Sequence, residues 1–165
     1  MTSPHELFRR LTNGVYVVTA SHAGRSDGFT AAWVTQASFD PLLLVLSVNP
    51  GNATWPLMQQ SRRCAVNVLK TGQLDLARHF GTTSGRDIDK MSTVRTTVVA
   101  DDALVLSDAA AWLDCRVEQH IPAGDHLVVI ARVVAGDVID AAAVPLRYSE
   151  TGAMDGAAAL YARHF

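Results

Sequence analysis

Hydrophobic positions along the chain fall mostly in short runs rich in β-branched residues, separated by glycine, proline and polar clusters. Runs of that kind read as strands bounded by turns. Residues 14–20 (Gly-Val-Tyr-Val-Val-Thr-Ala) predict a first strand. A polar turn at 23–28 returns the chain into a second strand over 30–36, giving a hairpin. A tight Asp40-Pro41 corner leads into the apolar run 42–48, the heart of a third, fully buried strand ending at Asn49. Pro50-Gly51-Asn52 breaks it, and Asn52 can cap a helix over 53–60 with Pro56 still in its first turn. Residues 63–69 predict another strand. Leu74, Leu76, Ala77 and Phe80 lie mostly on one side of a helix over 72–80, and a polar, glycine-bearing loop follows over 81–91. Further strands are expected over 112–120, 126–139 and 144–148, with Gly124-Asp125 at the turn between the first two. At the start, Ser3-Pro4-His5-Glu6 forms a capping box for a short helix through Leu7, Phe8 and Leu11. The tail from Thr151, with Gly156-Ala157-Ala158-Ala159, reads as a loose arm or a short docking helix.

Six or seven strands with short inserted helices and no βαβ alternation point to a mainly β, antiparallel Greek-key barrel. At 165 residues the chain is most simply one domain, 1–165. Hydrophobic content of 48% against 18% charged residues supports a well-filled core, and the apolar surplus favours a subunit interface. A net charge of −2 leaves no electrostatic footprint for nucleic acid or an anionic membrane. Cys64 and Cys115 sit in apolar runs far apart in sequence, which favours buried free thiols over a disulfide. Met1 to Arg10 lacks the apolar region of a signal peptide, and no apolar stretch reaches the ~18–20 residues of a membrane span. A cytoplasmic location is therefore expected. Asp101-Asp102 and the Asp137 and Asp140 pair read as turns beside strands.

Four places carry candidate chemistry. Thr30, Ala31, Ala32, Trp33, Thr35, Gln36 and Ser38 combine small side chains with hydroxyls and an amide, so a flat ligand could lie against the backbone there. The same residues also suit a plain amphipathic strand with Trp33 in a core. Asn49, Asn52 and Thr54 surround a helix start, which serves either as a phosphate seat or as a simple cap. Lys90, one of only two lysines, ends the segment Arg86-Asp87-Ile88-Asp89-Lys90 and in isolation suits a solvated surface. Gly124-Asp125-His126 flanks a turn; in a regular strand Asp125 and His126 point to opposite faces and do not pair. No dinucleotide-binding glycine fingerprint, P-loop or nucleophile elbow occurs, and the histidines and cysteines show no metal-ligand spacing, so no metal is expected.

The stretch Asp27-Gly28-Phe29-Thr30-Ala31-Ala32-Trp33-Val34-Thr35-Gln36-Ala37-Ser38-Phe39-Asp40-Pro41 closely resembles the cofactor strand of the flavin reductase-like family, the FMN-binding split barrels. Three more matches follow in the same order: Asn52 to Thr54, Leu74 to Gly81 with Asp89-Lys90, and Gly124-Asp125-His126. The resemblance spans roughly Leu7 to Tyr148. It implies a six-stranded antiparallel Greek-key split β-barrel with short flanking helices, and a homodimer with FMN, or FAD, near the interface. Thr30, Ala31, Ala32, Trp33, Gln36, Ser38, Asn49, Asn52, Thr54 and Lys90 would then hold the cofactor, Lys90 against its phosphate. Trp33 and His126 would line the reactive side, where NADH or NADPH delivers its electrons. The implied activity is NAD(P)H:flavin oxidoreduction, feeding an acceptor protein such as a monooxygenase or a flavodiiron-type protein. The Ala-Ala-Trp-Val-Thr-Gln-Ala-Ser version of the strand is more similar to the electron-carrier branch. A flavoredoxin-like carrier without its own NAD(P)H activity is the alternative.

Overall fold

A computed structural model describes residues 3–99 and 103–162. The capping box forms as expected: Ser3 Oγ accepts from the Glu6 amide while Glu6 accepts from the Ser3 amide. The helix it starts, α1 (Pro4–Phe8), ends before Leu11. Strands β1 (Tyr16–His22) and β2 (Arg25–Ala31) make the first hairpin, closed at Ala23-Gly24. After β2 the expected single strand breaks. Ala32 and Trp33 leave the ladder, and β3 (Val34–Ser38) starts a new pairing with β4 (Leu43–Val48) across a cis Asp40-Pro41 corner.

Helix α2 (Trp55–Ser61), strand β5 (Arg63–Val68) and helix α3 (Leu74–Thr82) follow. Thr54, not Asn52, is the cap residue of α2; Asn52 Oδ1 instead accepts from the Thr54 amide in the turn just before it. A small hairpin, β6 (Thr96–Val99) with β7 (Ala103–Leu106), was not anticipated from the sequence. The long antiparallel pair β8 (Ala111–Ala123) and β9 (His126–Val138) completes the set. Residues 144–148 make only isolated bridges, Gly14 with Arg147 and Lys70 with Pro145. Pro145 has no N–H to extend a ladder. Asp101-Asp102 lie outside the described residues.

The main sheet runs β2-β1-β5-β8-β9-β4-β3, antiparallel at every pairing. It therefore has seven strands, not the expected six, and it is not closed into a barrel. The edges β2 and β3 are joined through Ala32-Trp33 without pairing to each other, which leaves the strand ends around that junction open. One core packs α2, through Trp55, Leu57 and Met58, against Val18, Leu46, Val66 and Val129. A second gathers Val15, Val17, Leu69, Phe80 and Leu146 on the other face. β1 serves both, since alternate residues point to opposite faces. Gly28 lets α3 come close, because a Cβ there would stand 3.1 Å from the Phe80 ring. Among the described residues no helix is long and apolar enough to cross a membrane. Cys64 and Cys115 are buried free thiols on directly opposed positions of β5 and β8.

Candidate functional site

Where β2 ends, the β4–α2 turn and the loop after α3 converge on a groove of about 440 Å³. Its walls are built locally. Asn49 Oδ1 accepts from the Gly51 amide (2.8 Å) and Asn52 Oδ1 from the Thr54 amide (3.0 Å). Each side-chain carbonyl is thereby turned to its own backbone, which leaves the amide –NH2 groups as donors. Opposite them, Gly81, Thr82, Thr83 and Ser84 extend from α3, and Arg86 stands exposed at the rim. Thr30 lines the floor and donates its hydroxyl to the Ala77 carbonyl (2.6 Å), which ties β2 to α3.

Lys90 lines this groove but faces inward, and Thr54 is fully buried outside the lining. The Lys90 side chain is 2% exposed, with Nζ donating to the Gly28 carbonyl and paired to Asp27 Oδ1 at 3.2 Å. Thr54 Oγ1 donates to the other carboxylate oxygen of Asp27 (2.8 Å). The expected ammonium-to-phosphate contact gives way to a buried ion pair, because the adjacent carboxylate compensates a cation that water cannot reach. Thr54, fully buried with its hydroxyl donated to Asp27, likewise offers no ligand-facing group. Gly85 fits over this cluster only without a side chain, since a Cβ there would lie 2.4 Å from the Asp27 carboxylate. Asp27 is thus a structural centre of the site that sequence reasoning passed over.

From the groove, Ala31 (buried) and Ala32 (half-buried) lead to Trp33, which is 50% exposed and whose carbonyl accepts from the Ser47 amide. The Trp33 ring meets the His126 ring at 5.0 Å between centroids, tilted by 56°. His126 Nδ1 lies 2.7 Å from Asp125 Oδ1. This pairing corrects the expectation of opposed side chains. Asp125 belongs to the tight turn after Gly124 (φ +66°), not to the regular strand. The hydrogen bond from His126 holds the Asp125 carboxyl below its usual range. With Nδ1–H directed at the carboxylate, a neutral His126 presents Nε2 as an acceptor.

The structure therefore gathers Thr30, Asn49, Asn52 and the Lys90 wall on one groove and joins it through Ala31 and Ala32 to the Trp33–His126 pair. It does not bring Gln36 or Ser38 there. Both sit on edge strand β3, where Gln36 Nε2 donates to the Ser38 carbonyl across a register shift. The residues missed were Thr82, Thr83, Ser84 and Arg86. A hydroxyl- and glycine-rich Gly-Thr-Thr-Ser-Gly-Arg run was the available signal.

Comparison with known proteins fits this layout. The model of the flavin reductase like domain matches residues 8–157. Diflavin flavoprotein A 1 of Synechocystis sp. is 32% identical over 133 residues, covering 80% of this chain. The chain spans only 23% of that curated relative's length. Among solved structures, the NADH:FAD oxidoreductase SgcE6 of Streptomyces globisporus superposes with a TM-score of 0.81 at 26% identity, covering 89% of this chain and 87% of its own. An FMN-binding protein from Thermus thermophilus gives 0.74 at 28% identity over 78% of this chain and 72% of its own. A match to the domain model over nearly the whole chain, on the fold and groove described above, places this protein in the flavin reductase-like family.

Proposed function

We propose that the chain is a flavin-dependent oxidoreductase in which NADH or NADPH reduces a flavin held in the β2–α3 groove. The observation that carries this reading is the continuous path from a donor-rich groove to an exposed aromatic pair. Hydroxyls of Thr83 and Ser84, the amides of Asn49 and Asn52 and the Arg86 guanidinium suit a phosphate ester, because all are donors and Arg86 adds an exposed positive charge. Ala31 and Ala32 carry no bulk beyond Cβ, so a flat ring can approach the backbone. A bound flavin supplies the chemistry, accepting a hydride at its ring and passing two electrons onward. The protein's part is to bind the phosphate end, position the ring beside Trp33, and exclude water on that side. His126, fixed by Asp125, offers Nε2 as a hydrogen-bond acceptor at the reacting face.

A homodimer is part of the reading. Phe39 (90% exposed) and Leu42 at the β3–β4 turn and Ile121 near the end of β8 leave apolar side chains on the surface, which a second copy would cover. The acceptor is free flavin or a partner protein, a monooxygenase or a flavodiiron-type protein. The likeness to a diflavin flavoprotein favours a second reading, an electron carrier that takes its electrons from a protein donor. Purified protein loaded with FMN or FAD and mixed with NADH or NADPH in a stopped-flow instrument tests both. Rapid bleaching near 450 nm supports the reductase; bleaching only by a protein donor supports the carrier. Failure to retain either flavin contradicts both.

A further inference from the structure

Cys64 and Cys115 are the two cysteines of the chain, and the flavin reading gives neither a task. Strand register brings them together. β5 and β8 pair antiparallel with Cys64 directly opposite Cys115, and both are buried. Opposed residues of an antiparallel pair have Cα atoms about 4.5–5.5 Å apart, inside the roughly 4.4–6.8 Å window of a disulfide. Both cysteines belong to the core that packs on α2, together with Val66, Val117 and Met58. The hydrogen bond to Cys64, then burial, pushes the Cys115 thiol up, so Cys115 keeps its proton. A hollow of about 340 Å³ beside β1, β5 and β7 counts Cys64, and not Cys115, among its walls. A molecule the size of water therefore meets the pair from the Cys64 side.

Independently of the flavin reading, we propose that Cys64 and Cys115 form a modification site, a dithiol that hydrogen peroxide converts reversibly into a cross-strand disulfide. Cys64 reacts first. Its thiolate takes one oxygen of the peroxide, the O–O bond breaks, and a water leaves, which makes a sulfenic acid. Cys115 then attacks that sulfur. The S–O bond breaks, and the hydroxyl departs with the Cys115 proton as a second water. Two thiols and one peroxide thus become one disulfide and two waters, the sulfurs giving up the two electrons that the peroxide accepts. A small dithiol reverses the bond by thiol–disulfide exchange. The bond ties β8 to β5, the strand that joins α2 to α3. It therefore fastens the connection between the β4–α2 turn and the loop after α3, the two walls of the groove.

The test uses the full chain, reduced with dithiothreitol, freed of it and exposed to hydrogen peroxide while circular dichroism confirms that it stays folded. Thiol titration after denaturation should fall from two free thiols to none, and the intact mass should drop by two hydrogens. Trypsin should release residues 64–70 joined to 96–116, and dithiothreitol should restore both thiols. In Cys115→Ser, dimedone should trap a sulfenic acid on Cys64, whereas the remaining thiol of Cys64→Ser should survive the same exposure. Both thiols persisting in the folded wild type, a disulfide formed only between chains, or sulfinic acid without joined peptides overturns the proposal. A disulfide that forms only after the chain unfolds, or a dimedone adduct on Cys115 in place of Cys64, overturns it as well.

Discussion

Replacing Asp27 by Ala should be among the most damaging single changes in this protein, although Asp27 lies near no expected catalytic atom. Its carboxylate is 8% exposed and receives Thr54 Oγ1 at 2.8 Å and Lys90 Nζ at 3.2 Å. Without it, the Lys90 ammonium, 2% exposed, keeps the Gly28 carbonyl and the face of the Phe80 ring, 5.8 Å from its centroid, but no counter-charge. Removing one member of a buried pair typically costs about 3–5 kcal/mol, because the remaining charge stays desolvated and uncompensated. In a domain of this size 1 kcal/mol moves Tm by about 2–4 °C, so a fall of at least about 6 °C is expected. The exposed Arg78–Asp75 pair on α3 provides an internal control. Asp75→Ala should shift stability by less than ~1 kcal/mol, since water already solvates both partners. Urea and thermal unfolding measure both, and Asp27→Ala combined with Lys90→Met should recover much of the loss by deleting the stranded charge. An Asp27→Ala variant no less stable than Asp75→Ala would refute the buried-pair reasoning.

Arg86→Ala should lower flavin affinity about tenfold, through loss of a charge-assisted contact at the rim, and leave Tm unchanged, as fluorescence titration and calorimetry can check. Gly85→Ala forces a Cβ into the Asp27 carboxylate, so a loss of ~1–3 kcal/mol and a shifted 81–90 loop are expected, with weaker flavin binding as the readout. Burial, then the hydrogen bond to Asp155, raises the pKa of Tyr148 above the ordinary 10.0. The folded state thus holds this proton more tightly, so its stabilising share is complete below pH 10 and fades as pH climbs past it. A melting series from pH 8 to 11 should show a steeper alkaline decline for wild type than for Tyr148→Phe.

Much of the fold was legible because strand runs, turn residues and the Ser3–Glu6 capping box are local signals. What escaped was set by contacts distant in sequence. Nothing around Lys90 marks it as buried, since its partner Asp27 lies far away in the β1–β2 hairpin and only the packing of the 81–90 loop on β2 brings them together. The Ala32-Trp33 break was hidden because both flanks read as strand. It takes the competing pairing of β3 with β4 to pull the chain off the β1 ladder. Asp125 and His126 pair because the turn at Gly124 escapes the two-residue alternation assumed for a strand. The β6–β7 hairpin carries its own local signal in the Thr-Thr-Val-Val and Ala-Leu-Val-Leu runs. Candidate chemistry was legible in part. Thr30, Asn49 and Asn52 reach the groove, whereas the loop hydroxyls and Arg86 gain their place from the direction in which α3 ends.

The most direct trial is a crystal of the protein soaked with riboflavin 5′-phosphate. Electron density for the phosphate among Asn52, Ser84 and Arg86, with the tricyclic ring lying along Ala32 toward Trp33, is the outcome expected. Density for the ring on any other face, or an empty cleft at saturating ligand, would contradict the assignment.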